Sequence, residues 1–164
     1  MASSNPMSKL NWRLILIHFV ACWFFIHAFK VLFSLHDHEF LMGVIANRNT
    51  GGLNAGRFAN DVHWLNLAGY AGLIVGCVLS IWISLKKHWF LVNTLIVFVI
   101  AFLLEIYELL GWNALQSVFT SPGDLLNLPS PWYFLLNGGI MIAIGLVLFF
   151  LKGPVQFING RSKA

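Results

Sequence analysis

The sequence predicts an all-α protein, a bundle of four transmembrane helices with both termini cytoplasmic and two long outer loops. Three observations carry that expectation. Four apolar stretches, 14–35, 64–85, 89–110 and 132–151, are each long enough to cross a hydrocarbon layer of about 30 Å at about 1.5 Å per residue. With 59% hydrophobic and 10% charged residues, the chain has too little polar surface to cover a water-soluble globule. Its basic residues collect at alternate ends of the stretches, the pattern of a chain that crosses repeatedly. Residues 1–164 read as a single integral membrane domain.

The first stretch exceeds a signal-peptide core, and no small-x-small cleavage site follows it before Phe33, Ser34, Leu35, His36 and Asp37, so it reads as a retained helix. In helix two Ala68, Gly72, Gly76 and Ser80 recur at four-residue spacing beside Gly69, a register that lets backbones approach closely. Only Lys86, Lys87 and His88 separate helices two and three, which makes them antiparallel neighbours. Helix four has Ser130 to cap it, Pro131 at its first position and Lys152, Gly153, Pro154 at its end. Gly139 and Ala143 give it a weaker small-residue seam. These seams suit packing within one bundle, against a second copy, or against another membrane subunit.

Orientation follows from the flanking charges. Lys9, Arg13, Lys86, Lys87, Lys152, Arg161 and Lys163 fall on one side, and only Arg48 and Arg57 on the other. Both termini are therefore expected in the cytoplasm of a plasma or inner membrane, and the loops 36–62 and 111–131 outside. The net charge of +4 is scattered along membrane boundaries rather than gathered into a stripe. Its natural neighbour is lipid, and nucleic acid is excluded as a partner. Trp12, Trp64, Trp89, Trp112 and Trp132 sit at boundaries, where an indole ring is best accommodated. Cys22 and Cys77 lie in mid-span without a C-x-x-C and read as small buried hydrophobes.

The polar residues inside the spans define the candidate site. Lys30 lies about 8 Å below the outer end of helix one and His27 about 12 Å. Glu105 falls at the level of Lys30, Asn66 and Asn137 at a similar depth, and Glu108 nearer the surface. His27, Lys30 and Ser34 share one face of helix one, Asn66 and Tyr70 one face of helix two, and Glu105 and Glu108 one face of helix three. Ionisable groups in hydrocarbon are costly, so these are expected to converge on an outward polar pocket. In a catalytic reading Glu105 or Glu108 is the base and Lys30 the charge stabiliser; in a structural reading they form an ion-pair network.

The loop at the mouth of this pocket carries His36, Asp37, His38 and Glu39, and later Asp61 and His63. Imidazole and carboxylate donors suit a divalent metal, with His36, His38, His63 and Asp61 as ligands and the glutamates completing the sphere. No H-E-x-x-H, E-x-x-H or cysteine set fixes that chemistry. Haem is disfavoured, because neither His18 with His88 nor His27 with His63 lies level across two helices. His18 is expected to bond Asn93 or Ser84. No motif names a reaction, which leaves a non-catalytic subunit or scaffold of a membrane complex first, then an enzyme acting on a lipid or quinone-like substrate, then an oligomeric channel or carrier.

Overall fold

A computed structural model describes residues 10–47, 55–106 and 126–159. Those residues are all-helical. In chain order they form α1 (Trp12–Phe33), a 3-10 turn (Ser34–Asp37), α2 (His38–Asn47), α3 (Ala55–Lys86), α4 (Val92–Ile106), α5 (Trp132–Phe150) and the short α6 (Lys152–Ile158).

The first helix is the axis of the molecule. It packs against α3, α4 and α5, whereas α5 barely meets α3. Every residue from Ala21 to Ala28 is buried, as expected of a helix that is apolar all round and enclosed by others. Side-chain registers give the directions: α3 runs antiparallel to α1, with Gly76 at Cys22, Gly72 at Phe25 and Gly69 at Lys30. α4 runs parallel to α1, bringing Asn93 to Asn11 at one end and Glu105 to Lys30 at the other. α5 runs antiparallel again, with Gly138 at Leu32 and Gly145 at Phe25.

The small residues of α3 set its distance from α1. A Cβ on Gly72 would collide with the carbonyl oxygen of Phe25 and lie 2.9 Å from Ile26 Cα. Backbone therefore rests on backbone, the close approach the four-residue spacing implies. Cys22 and Cys77, both free thiols, touch across the same seam. In α5 the expected faces are reversed. Gly139 has nothing within 4 Å of where its Cβ would be, and Ala143 is exposed, while Gly138 and Gly145 face α1.

One end of the bundle is tied by hydrogen bonds. The Asn11 side chain caps α1 by accepting from the backbone of Arg13 (3.1 Å) and Leu14 (3.2 Å), and donates 2.9 Å to the Ile158 carbonyl at the end of α6. Its own N–H donates to Asn93 Oδ1 at 2.9 Å. The turn from α3 to α4 is a Schellman closure: Trp89 N–H reaches the Ser84 carbonyl (2.8 Å) and His88 N–H that of Leu85 (3.2 Å). His88 takes the left-handed position, φ 54°, usually held by glycine.

Three further sequence expectations are corrected. The stretch 36–62, expected as a loop, is helical in α2 and from Ala55 onward, so α3 begins well before its apolar run. Lys152, Gly153 and Pro154 do not simply end a helix but open α6 after one extended residue, Leu151. Ser130 does not cap α5; its hydroxyl lies 2.6 Å from His38 Nδ1, and the Pro131 carbonyl accepts from Phe134 and Leu135 instead.

Candidate functional site

At the end of the bundle opposite Asn11, Lys30 on α1 and Glu105 on α4 form an ion pair, both residues buried. Parallel packing of the two helices brings the charges level. The pair is closed over by α3: a Cβ on Gly69 would fall on Lys30 Cε and lie 2.6 Å from Glu105 Oε1. Two opposite charges that satisfy each other remove most of the cost of leaving either in hydrocarbon. Glu108, the second acid expected here, lies outside the described residues.

The other expected pocket residues lie on α1, α3 and α5. Asn137 of α5 is fully buried, and neither its amide nitrogen nor its oxygen has a hydrogen-bond partner among the described residues. His27 is buried one turn before Lys30, its ring in an edge contact with that of Trp23, centroids 4.5 Å apart. Ser34 turns back to its own helix, its hydroxyl donating to the Lys30 carbonyl at 3.1 Å. Tyr70 packs on Phe102 of α4, centroids 6.2 Å apart, and Asn66 is half-buried on α3. The structure thus brings Lys30 and Glu105 into contact with each other beneath Gly69.

The same end of the bundle holds a separate chamber. Arg57 on α3 grips Asp37 with a two-point fork, Nε to Oδ2 at 2.6 Å and Nη2 to Oδ1 at 2.5 Å, and its guanidinium lies 4.5 Å over the Phe40 ring. Beside that fork a cavity of 270 Å³ is lined by Phe33, His36, Asp37, Asn60, Asp61 and Trp64 among others. His36 lies flat on Phe33 (5.9 Å), and Phe33 on Trp64 (6.4 Å). Asp61 Oδ2 is buried there with no hydrogen-bond partner among the described residues.

The expected metal ligands go different ways. His36 and Asp61 share the chamber, His38 leaves it for Ser130, and His63 is exposed with its ring edge toward Trp64. Among the described residues no three histidine, cysteine or carboxylate side chains group as a metal site. Residues 34–38 are helical, so positions two apart point to nearly opposite sides.

Toward the Asn11 end a second polar chain crosses the core. His18 Nδ1 pairs with Ser80 Oγ at 2.7 Å, and Thr94 links Ser80 (3.5 Å) and Ser84 (3.0 Å). Ser80 thus replaces the expected partners Asn93 and Ser84. The signal available in sequence was the glycine register of α3, which carries Ser80 to the level of His18; Thr94 gave none.

No known protein family, curated protein or solved structure matches the chain. Function must be read from the molecule. Segments Trp12–Leu41, Gly56–Lys86 and Trp132–Phe150 each contain a stretch long and apolar enough to cross a membrane, the make-up of a membrane protein. The described part of α4 is apolar but, at 15 residues, shorter.

Proposed function

We propose that this chain is a four-span protein of a plasma or inner membrane, both termini in the cytosol, serving as a non-catalytic subunit or scaffold of a membrane complex or homo-oligomer. The observation that carries the reading is the Lys30–Glu105 pair, closed over by Gly69 and occupied with itself. A pair packed in this way locks α1, α3 and α4 together rather than waiting for substrate. The alternating directions of α1, α3, α4 and α5 support four crossings. Arg13, Lys86, Lys87 and Lys152 lie toward the Asn11 end and Arg57 at the other, which supports a cytosolic Asn11 end.

The test has two arms. Glu105→Gln and Lys30→Met are made singly and together and their stability followed in detergent. Each single change strands a buried charge or its partner and is expected to cost about 3–5 kcal/mol, whereas the double variant recovers most of it. A folded Glu105→Gln protein of unchanged stability would end the structural reading. In the second arm the tagged chain is purified in mild detergent and its stoichiometry measured. A defined assembly is expected; a single copy carrying stoichiometric metal or chromophore would replace the subunit reading with an enzymatic one.

A further inference from the structure

At the Asn11 end of the bundle three lysines surround one cavity. α3 ends on Lys86, Lys87 follows it into the turn, and Lys152 opens α6 directly after α5 and Leu151. All three are exposed, and with Trp82, Phe150 and Val155 they line a cavity of 220 Å³. α6 is held across this end at its far side. The carbonyl of its last residue, Ile158, accepts from the Asn11 side chain, and the next residue, Asn159, accepts at 3.1 Å from the indole N–H of Trp89 in the α3–α4 turn. One wall is aromatic: Trp82 and Phe150 meet with ring centroids 5.9 Å apart, and the Lys86 ammonium stands 5.3 Å from the Trp82 centroid. We propose that this cavity binds the headgroup phosphate of an anionic phospholipid, with Lys86, Lys87 and Lys152 as its counter-charges.

The charge gathered here has no internal answer. Of the chain's six acidic residues, the four described, Asp37, Glu39, Asp61 and Glu105, belong to the opposite end. Among the described residues neither ion pair involves any of the three lysines. Helix carbonyls do not occupy them either. Those of Ile83, Ser84 and Leu85 accept from the backbone N–H groups of Lys87, Trp89 and His88, and that of Leu151 accepts from Val155. Three cations around one space repel one another, so an anion among them relieves that repulsion and accepts their N–H donors. Depth selects the kind of anion. The apolar segments Gly56–Lys86 and Trp132–Phe150 both end at this cavity, and the exposed Trp82 and Phe150 rings mark where hydrocarbon gives way to headgroups. At that boundary the anion a bilayer offers is lipid phosphate. An ethanolamine or choline headgroup also brings a cation, which the lysines repel, whereas a glycerol headgroup brings none. The site rests on the membrane reading alone, and neither on the assembly nor on which end faces the cytosol.

The experiment is native mass spectrometry of the full chain in mild detergent, offered an equimolar mixture of phosphatidylglycerol, phosphatidylethanolamine and phosphatidylcholine with identical acyl chains. Phosphatidylglycerol is expected to be retained about tenfold or more over the other two, since each lysine beside an anionic headgroup contributes about fivefold. Lys152→Gln is expected to cut that preference about fivefold, and glutamine at all three lysines to abolish it. Arg13→Gln removes one charge from the same end but outside the cavity, and is expected to leave the preference within about twofold. Equal retention of the three lipids by the unaltered chain overturns the proposal. So does an equal loss in Lys152→Gln and Arg13→Gln, the mark of a diffuse field rather than a site. Should the triple variant fail to fold, that matched pair decides alone. Glycerol 1-phosphate at millimolar concentration is the last arm: the lipid is expected to stay bound, and its displacement would assign the cavity to a soluble organophosphate instead. The copy number in the same spectra reports on the assembly, so either reading can fail without the other.

Discussion

Replacing Gly72 by alanine adds one methyl group at the tightest point between α1 and α3. That methyl would lie 2.8 Å from the Phe25 carbonyl carbon and 2.9 Å from Ile26 Cα, against ordinary contacts of 3.4–4 Å. Backbone atoms have no rotamer into which to retreat, so the two helices must part by up to about 1 Å to clear the Phe25 carbonyl oxygen, and neighbouring contacts loosen with them. Overpacking of this kind costs about 1–3 kcal/mol, offset by up to about 1 kcal/mol of helix propensity gained over glycine. A net loss of about 1–2 kcal/mol is expected. The assay is reversible unfolding of the purified protein in mixed micelles, followed by helical circular dichroism as the denaturing detergent fraction rises. Gly139→Ala is the control, since nothing lies within 4 Å of its added carbon. If Gly72→Ala proves as stable as Gly139→Ala, backbone contact at this seam does not hold the helices, and the reasoning fails.

The other predictions use the same assay. His88→Gly relieves a left-handed residue at the α3–α4 turn and is expected to stabilise by about 1 kcal/mol; a loss would mean the imidazole contributes more than its backbone strain costs. Ser80→Ala removes the partner of buried His18 and should cost about 1–3 kcal/mol, and Thr94→Val, which loses its links to Ser84 (3.0 Å) and Ser80 (3.5 Å), should cost a similar amount. Asn137→Leu exchanges a buried amide without a described partner for hydrocarbon and is expected to raise stability by about 1 kcal/mol; a marked fall would reveal an acceptor or donor supplied to that amide in the membrane.

What could be read from residues alone follows from where the physics is one-dimensional. Span length and hydropathy depend only on composition along the chain, so α1, the apolar part of α3, and α5 were legible within a few residues. Depth is equally linear, and it placed Lys30 and Glu105 at one level before any packing was known. Facing is not linear. α5 is apolar all round, so nothing in its sequence distinguished the Gly138 and Gly145 face, which meets α1, from that of Gly139 and Ala143, which does not. The segment around His36 and His38 failed for a related reason: read as an extended loop its side chains converge, but as helix they separate, one to Phe33 and the other to Ser130. The glycines near residue 51 obscured the helices on either side, α2 and the start of α3, whose polar and apolar residues alternate too irregularly to resemble a span. Phe33 and Trp64 gave no warning that they would stack, because that contact depends on the antiparallel register of α1 and α3.

The enclosure of α1 also bears on how the protein is made. Of the described helices, α1, buried throughout from Ala21 to Ala28, leaves the ribosome before the others, and its lysine enters the bilayer 75 residues ahead of the glutamate that neutralises it. At synthesis rates of about 5–20 residues per second, that interval is about 4–15 seconds. During it, the nascent first span needs shelter at the translocon or from an insertase, and a transcript truncated before codon 105 yields a chain whose central charge never finds its counter-ion. Quality-control proteases that recognise exposed intramembrane cations would have their clearest target in that fragment.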